Sequence, residues 1–385
     1  MNESLSMQTV LSRFLPSYQQ YHRLSPAQYK VCHRIKVCRT EALGGQVVHC
    51  DQCDFSQHRY HSCRNRHCPK CQHRASQHWC DQQLQQVLPV NYFHVVFTLP
   101  HELNPWVQCH PEALYHALFQ AVWKTIQAFG HDPKRLNGQM GMTVVLHTWG
   151  QNLSQHVHLH CLIPAGALSN DHEHWHAAKS NYLFPVKALS RYFRGAMVSA
   201  LRGAYKKGEL HRLDAEAFES HLSQLMQKDW VVYSKAYLKQ AETIVRYLGR
   251  YTHKIALSDQ RIKAITEDKI TFHYKDYRDN KNKCMPLAAE EFIRRFLLHV
   301  LPEGFMRIRH YGFLSNRTRQ QRLRMIRACL HAPTPRIKSD DEPRPHGQGN
   351  ANHETETACG CPCPKCRVGH LHVCGEIPAK PIDRR

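Results

Sequence analysis

Seventeen cysteines and 31 histidines in 385 residues supply most of this chain's capacity for chemistry. Seven cysteines (Cys32, Cys38, Cys50, Cys53, Cys63, Cys68 and Cys71) precede residue 72, and five (Cys359, Cys361, Cys363, Cys366 and Cys374) fall in the last 27 residues. A C-x2-C pair places two thiolates on one tight turn, and two such turns complete a tetrahedral site. Cys50-x2-Cys53 and Cys68-x2-Cys71, fourteen residues apart, therefore predict a four-cysteine structural zinc site. Cys38 and Cys63 are further candidate ligands, with Cys32, His61 and His67 beside them. In the tail, Cys363-x2-Cys366 is a single knuckle, half of a zinc ribbon, with Cys359, Cys361, His370, His372 and Cys374 as a surplus of partners.

Two other patterns carry chemistry. In Val157-His158-Leu159-His160-Cys161 a strand period of two sends both imidazoles to one face and the apolar residues to the other. His158 and His160 can then hold a divalent metal, with a third protein ligand from elsewhere. His156 shares the face, but four residues of strand span roughly 13 Å, too far for one ion to take His156 and His160 together. In RYLGRYTHK, Tyr247 and Tyr251 lie one helical turn apart, flanked by Arg246, Arg250, His253 and Lys254. Tyrosine attacks phosphorus when a neighbour takes its proton and cations neutralise the phosphate. Read alone, the same pair also suits half-buried aromatics on an amphipathic helix.

The elements that must position these groups follow from periodicity. Residues 1–30 read as an amphipathic helical lead-in with Val10, Leu11, Phe14 and Leu15 at helical spacing, and 72–88 as helix-compatible. NYFHVVFTLP is a strand, and PEALYHALFQAVWKTIQAF a packed helix behind an N1-type proline. GMTVVLHTW and HVHLHCLIP are strands joined by the turn GQNLSQ, a hairpin. Residues 186–228 are mostly helical; WVVYSKAY and KITFHYKDY are strands; AETIVRYLGRYTHKI and EEFIRRFLLHVL are helices. The predicted class is α+β, a central mostly antiparallel sheet with helices behind a small zinc-binding domain. The expected organisation is 1–88 for lead-in and zinc domain, 89–331 for the catalytic domain, 332–358 for a Pro- and charge-rich linker, and 359–385 for the cysteine-rich tail.

Fifty-two Lys and Arg against 31 Asp and Glu give a net charge of +21, which points to a polyanionic partner. Arg59, Arg64, Arg66, Lys70 and Arg74 beside the knuckles suit phosphate contacts on a small rigid module. A composition of 42% hydrophobic and 22% charged residues is globular. No apolar run approaches the roughly 18 residues of a membrane span, and the start has no signal pattern, so a cytoplasmic, nucleoid-associated protein with reduced thiols and no membrane partner is expected.

The order FTLP (Phe97–Pro100), HVHLHCLIP and YLGRY resembles the HUH endonuclease superfamily. With the upstream cysteine domain, TWGQ (Thr148–Gln151), RYTHKIALS and LPEGFMRIRHYGFLSN added, residues 20–325 resemble the transposases of insertion-sequence family ninety-one. The resemblance implies a bacterial rolling-circle enzyme that nicks and rejoins single-stranded DNA at mobile-element ends and targets. It implies Mg or Mn on His158 and His160, and Tyr247 and Tyr251 as nucleophiles forming a 5′-phosphotyrosine. Arg64, Arg66 and Lys70 beside the knuckles, and Arg246, Arg250 and Lys254 beside the tyrosines, are the expected DNA contacts. Gln151, in the turn before the histidine strand, is the candidate third ligand. Two other classes fit part of the sequence. A zinc-dependent DNA-binding regulator explains the charge and cysteines but not the motif order, and an RNA-processing metal nuclease has no need of the tyrosines.

Overall fold

The computed structural model describes residues 4–72, 86–178, 182–238, 243, 249, 256–332 and 361–380. The chain forms two compact units, Met1–Gln72 with Arg336–Arg385, and His73–Pro335. The first boundary thus falls at Gln72, and the cysteine-rich tail belongs with the amino-terminal module. The linker expected at 332–358 lies outside the described residues except for Ala332, as does most of the helix expected at 72–88. Among the described residues no helix is long and apolar enough to cross a membrane.

The first unit begins with α1 (Met7–Tyr21), capped by the Ser6 hydroxyl accepting from the Thr9 amide and burying Val10, Leu11, Phe14 and Leu15. α2 (Pro26–Lys36) opens on a capping box between Ser25 and Gln28 and buries Val31, Cys32 and Ile35. Then β1 (Gly45–Cys50) pairs antiparallel with β2 (Ser56–Tyr60).

The second unit is built on a sheet that contains β3 (Tyr92–Thr98). After it come the short α3 (Asn104–Cys109) and the long α4 (Pro111–His131), then β4 (Gly141–Trp149) and β5 (Gln155–Pro164) as the expected hairpin. A small ribbon of β6 (Gly166–Leu168) and β7 (Trp175–Ala177) precedes α5 (Val186–Lys206), α6 (Ala215–Met226) and β8 (Val232–Leu238). A meander of β9 (Ile262–Ile265), β10 (Lys269–Asp276) and β11 (Lys281–Ala288) leads into α7 (Ala289–Leu297). β12 (Ile308–Gly312) and α8 (Arg319–Cys329) follow. The main sheet has the order β12-β4-β5-β3-β8, antiparallel throughout.

Its two faces differ in kind. Phe93, Val95, Phe97, Met142, Val144, Leu146, Val157, Leu159 and Ile163 join Leu118, Phe119 and Val122 of α4 and Phe193, Met197 and Leu201 of α5 in one apolar core. By alternation the other face carries three cross-strand rows: His147 opposite His158, Val145 opposite His160, and Leu162 opposite His94. Val145 and Leu162 are covered by Phe313, Leu314 and, from α8, Leu323 and Ile326. β4 is buried along its whole length, and β5 from Val157 onward.

The turn at residues 150–154 anchors the meander. Arg261 donates from Nε to the His273 carbonyl (2.8 Å) and from Nη1 to that of Ala256 (2.9 Å), and its Nη2 reaches the Gln151 carbonyl. Arg295 Nη1 donates to the Asn152 carbonyl at 3.2 Å. Buried His299 lies 3.2 Å from both the Thr148 hydroxyl and the Leu153 carbonyl, and burial pushes its imidazole down to about 4. A base whose folded pKa is lowered stabilises the fold fully above its unfolded value near 6.5, and that stability is lost as the pH falls toward 4. The expected cost over the span is on the order of 3 kcal/mol. His299→Gln should therefore flatten the pH dependence of urea-induced unfolding between pH 7 and pH 5. An unchanged slope would assign the acid sensitivity to other groups.

Candidate metal centres

β5 places His158 and His160 on one face, and the register of the β4–β5 hairpin sets His147 directly opposite His158. The three imidazoles are buried, and each offers a ring nitrogen within 4.8 Å of the others. The Nε2 atoms of His158 and His160 are 3.1 Å apart. His147 is stacked on Trp149 (centroids 4.4 Å, interplanar 19°), which fixes its ring edge-on to the other two.

The partners of the other ring nitrogens set the tautomers. His158 Nδ1 lies 2.8 Å from the His156 carbonyl and must donate to it, which leaves Nε2 as an acceptor. His160 Nδ1 lies 2.8 Å from His94 Nε2. Burial, then the charge of Lys235, pushes His94 down to about 4, so it is neutral at neutral pH and can accept that proton. With His160 donating in this way, two acceptor nitrogens face each other at 3.1 Å, a repulsive arrangement unless a proton or cation lies between them. Two nitrogens about 2.1 Å from one ion and at right angles lie about 3 Å apart. The donor set fits a divalent cation.

Gln151 does something else: its amide donates to the Tyr277 hydroxyl at 3.2 Å and its carbonyl takes Arg261. The third imidazole near the pair is His147, which the sequence reading missed. The hairpin carried the signal, because residues equidistant from a short turn face each other across an antiparallel pair. Tyr247, Tyr251, Arg246, Arg250 and Lys254 lie outside the described residues.

The amino-terminal cysteines do not group as expected. Cys68 and Cys71 converge with Cys38, at the end of α2, and Cys63, whereas Cys50 and Cys53 face Cys363 and Cys366 of the tail. β2 lies between the two C-x2-C turns in the chain, and each turn has its own partners. Cys71 Sγ is 3.6 Å from both Cys38 and Cys63. Tetrahedral zinc with bonds of about 2.3 Å has sulfur–sulfur edges of about 3.8 Å, so the first cluster has the dimensions of a zinc site. Crowding splits the thiols: donation from Cys38, Cys63 and Cys68 holds Cys71 far below the ordinary thiol range, while Cys68 is pushed far above it. Of the basic residues nearby, Arg64 is exposed, Arg66 is half-buried, and Lys70 is tied to Gln8, whose amide reaches the carbonyls of Lys36 and Cys38 (2.6 and 3.2 Å).

Cys71→Ser is expected to lower the zinc content by at least one equivalent and to unfold the amino-terminal module, since structural zinc contributes on the order of 10 kcal/mol of binding coupled to folding. Metal analysis with circular dichroism checks this, and retention of full zinc would refute the grouping.

Comparisons with known proteins bear on both units. A family model described as "Transposase zinc-binding domain" matches residues 10–99, and one described as "Putative transposase" matches residues 141–322. The chain is 41% identical over 344 residues to "Putative transposase y4qJ" of Sinorhizobium fredii, covering 87% of this chain and 86% of that protein. It is 26% identical over 313 residues to "Transposase for insertion sequence element IS801" of Pseudomonas savastanoi pv. phaseolicola, covering 78% and 74% respectively. No solved structure matches. With the cysteine module ahead of an antiparallel sheet bearing paired histidines, the chain belongs to the transposases of insertion-sequence family ninety-one.

Proposed function

We propose that this protein carries out rolling-circle transposition, nicking and rejoining single-stranded DNA at element ends and targets through a tyrosine–phosphate bond. The observation that carries the reading is the convergence of His147, His158 and His160 on one buried sheet face, a cluster that contains no carboxylate among the described residues. Mg or Mn held there would supply Lewis-acid polarisation of the scissile phosphate. His147 takes the third position instead of Gln151.

The chain's own residues do the rest. With the His156 carbonyl and His94 accepting from the Nδ1 atoms of His158 and His160, both Nε2 atoms are available as acceptors. The apolar core behind β5 fixes the strand, and so the spacing of the two rings. Tyr247 or Tyr251 attacks phosphorus. The tyrosine O–P bond forms as the P–O3′ bond breaks, leaving a 5′-phosphotyrosine and a 3′-hydroxyl. Arg246, Arg250 and Lys254 are assigned to phosphate charge. Because one phosphodiester replaces another, rejoining needs no ATP. The +21 charge supports a nucleic-acid partner, and structural zinc in the cysteine module supports recognition of element ends by Arg64, Arg66 and Lys70.

Labelled single-stranded DNA carrying the element end should form a denaturant-resistant adduct that the Tyr247→Phe/Tyr251→Phe double variant does not form. DNA binding without any adduct would instead favour a zinc-dependent regulator. For the centre, His147→Ala should lower cleavage at least as much as the roughly 10- to 100-fold typical of lost support around a metal. It should match His158→Ala, with single-strand binding retained because affinity rests on Lys and Arg contacts with phosphate. Gln151→Ala should keep most cleavage; a larger loss there than for His147→Ala would reverse the assignment.

A further inference from the structure

Cys363 and Cys366 lie outside both matched family regions, yet they close on the amino-terminal module. β13 (Cys361–Pro362) and β14 (His370–Ile377) extend the β1–β2 pair into a sheet of order β13-β14-β1-β2. β14 runs antiparallel to β1 from Gly45↔Ile377 to Cys50↔Leu371, with a register shift between Val47 and Val48. At the end of this pairing Cys50 Sγ is 3.7 Å from Cys366 Sγ, and Cys53 Sγ is 3.8 Å from Cys363 Sγ. All four sulfurs lie within 4.8 Å of one another. These distances are far beyond the roughly 2.05 Å of a disulfide and match the edges of a tetrahedron around zinc.

The surrounding backbone is shaped for thiolates. The Gln52 amide points at Cys50 Sγ (3.4 Å) and the Gly369 amide at Cys366 Sγ (3.3 Å). A Cβ on Gly369 would lie 2.5 Å from Asp51 Oδ1 and 2.6 Å from Cys50 Sγ, so a side chain there would have to displace both. Asp51 accepts from the His370 amide at 2.8 Å and pairs with His372 Nε2 at 3.3 Å. The apolar support is small: Val48, Leu371 and Cys363 are buried, with Phe55 and the other three cysteines packed on them. So little core does not hold a separate tail segment in place by burial alone.

We infer that Cys50, Cys53, Cys363 and Cys366 form a second structural zinc site, split between the two ends of the chain, whose occupancy docks the tail onto β1. This site is independent of the nuclease chemistry, and its test does not read activity. The full chain, with a specific protease site inserted between residues 340 and 350, is cleaved in zinc-containing buffer. The tail should stay bound and co-elute with the remainder. In the Cys363→Ser/Cys366→Ser variant the tail should separate after cleavage, and the uncleaved chain should hold one zinc fewer than the parent. Cys361→Ser/Cys374→Ser, which alters exposed cysteines outside the cluster, should keep both the metal and the tail. Substituting Cys50 and Cys53 as well should remove no further zinc, since both pairs serve one ion. An unchanged zinc content in the tail variant, or a tail that stays bound without its cysteines, would overturn the proposal. Should the four-fold variant unfold the module, the tail variant alone decides.

Discussion

Neither face of the β4–β5 pair is open to water along its central length, and the rest of the catalytic unit is arranged around that burial. Each side chain on these strands must be apolar or have a partner, because an unpaired polar group buried there costs on the order of 1–3 kcal/mol. On the core face the answer is uniform: Met142, Val144, Leu146, Val157, Leu159 and Ile163. On the opposite face it is divided. Val145 and Leu162 are covered by apolar residues, while His147, His158 and His160 have one another, Trp149, His94 and the His156 carbonyl. The imidazoles are thus interleaved with apolar neighbours on a buried surface, and the core lies behind them.

Among the described residues, the buried or half-buried donor sets are of two chemical kinds. The histidine centre offers three nitrogens, and each cysteine cluster offers four sulfurs. Thiolates select zinc strongly, whereas imidazoles take most divalent first-row metals, with affinity rising from manganese toward copper. The thiolate clusters have the donors that zinc favours, and the imidazoles, kept apart from sulfur, form a donor set of a different selectivity. Among the described residues no cysteine sulfur joins the imidazole cluster; Cys161, next to His160, belongs to the apolar core.

What the sequence made legible follows from how local each signal is. The alternation around His158 and His160, the hairpin that holds them, and α4 with its apolar stripe are short-range patterns, and each forms as expected. His147 was equally accessible in principle, since its place opposite His158 depends only on the turn between them. Gln151 was drawn to the centre by its position in sequence, but its partners Tyr277 and Arg261 come from the distant meander, which no local period announces. The cysteines show the same limit. C-x2-C spacing identifies a knuckle, but which knuckles share an ion depends on strand pairing across the whole chain. Cys50 and Cys53 lie only fifteen residues or more ahead of Cys68, yet they meet sulfurs more than 300 residues away.

That pairing has a consequence for the order in which the molecule can be made. Cys53 and Cys363 are separated by 310 residues, and β14 is the neighbour of β1 on the side away from β2. At roughly 5–20 residues per second of synthesis, on the order of 15–60 s pass between the appearance of one half of the sheet and the other. Throughout that interval the edge of β1 carries unpaired backbone groups and two unshared thiols, the kind of edge on which aggregation starts. A ribosome that stops early releases a chain whose first module lacks that strand. Completion of the amino-terminal sheet therefore requires that translation has passed through the whole second unit.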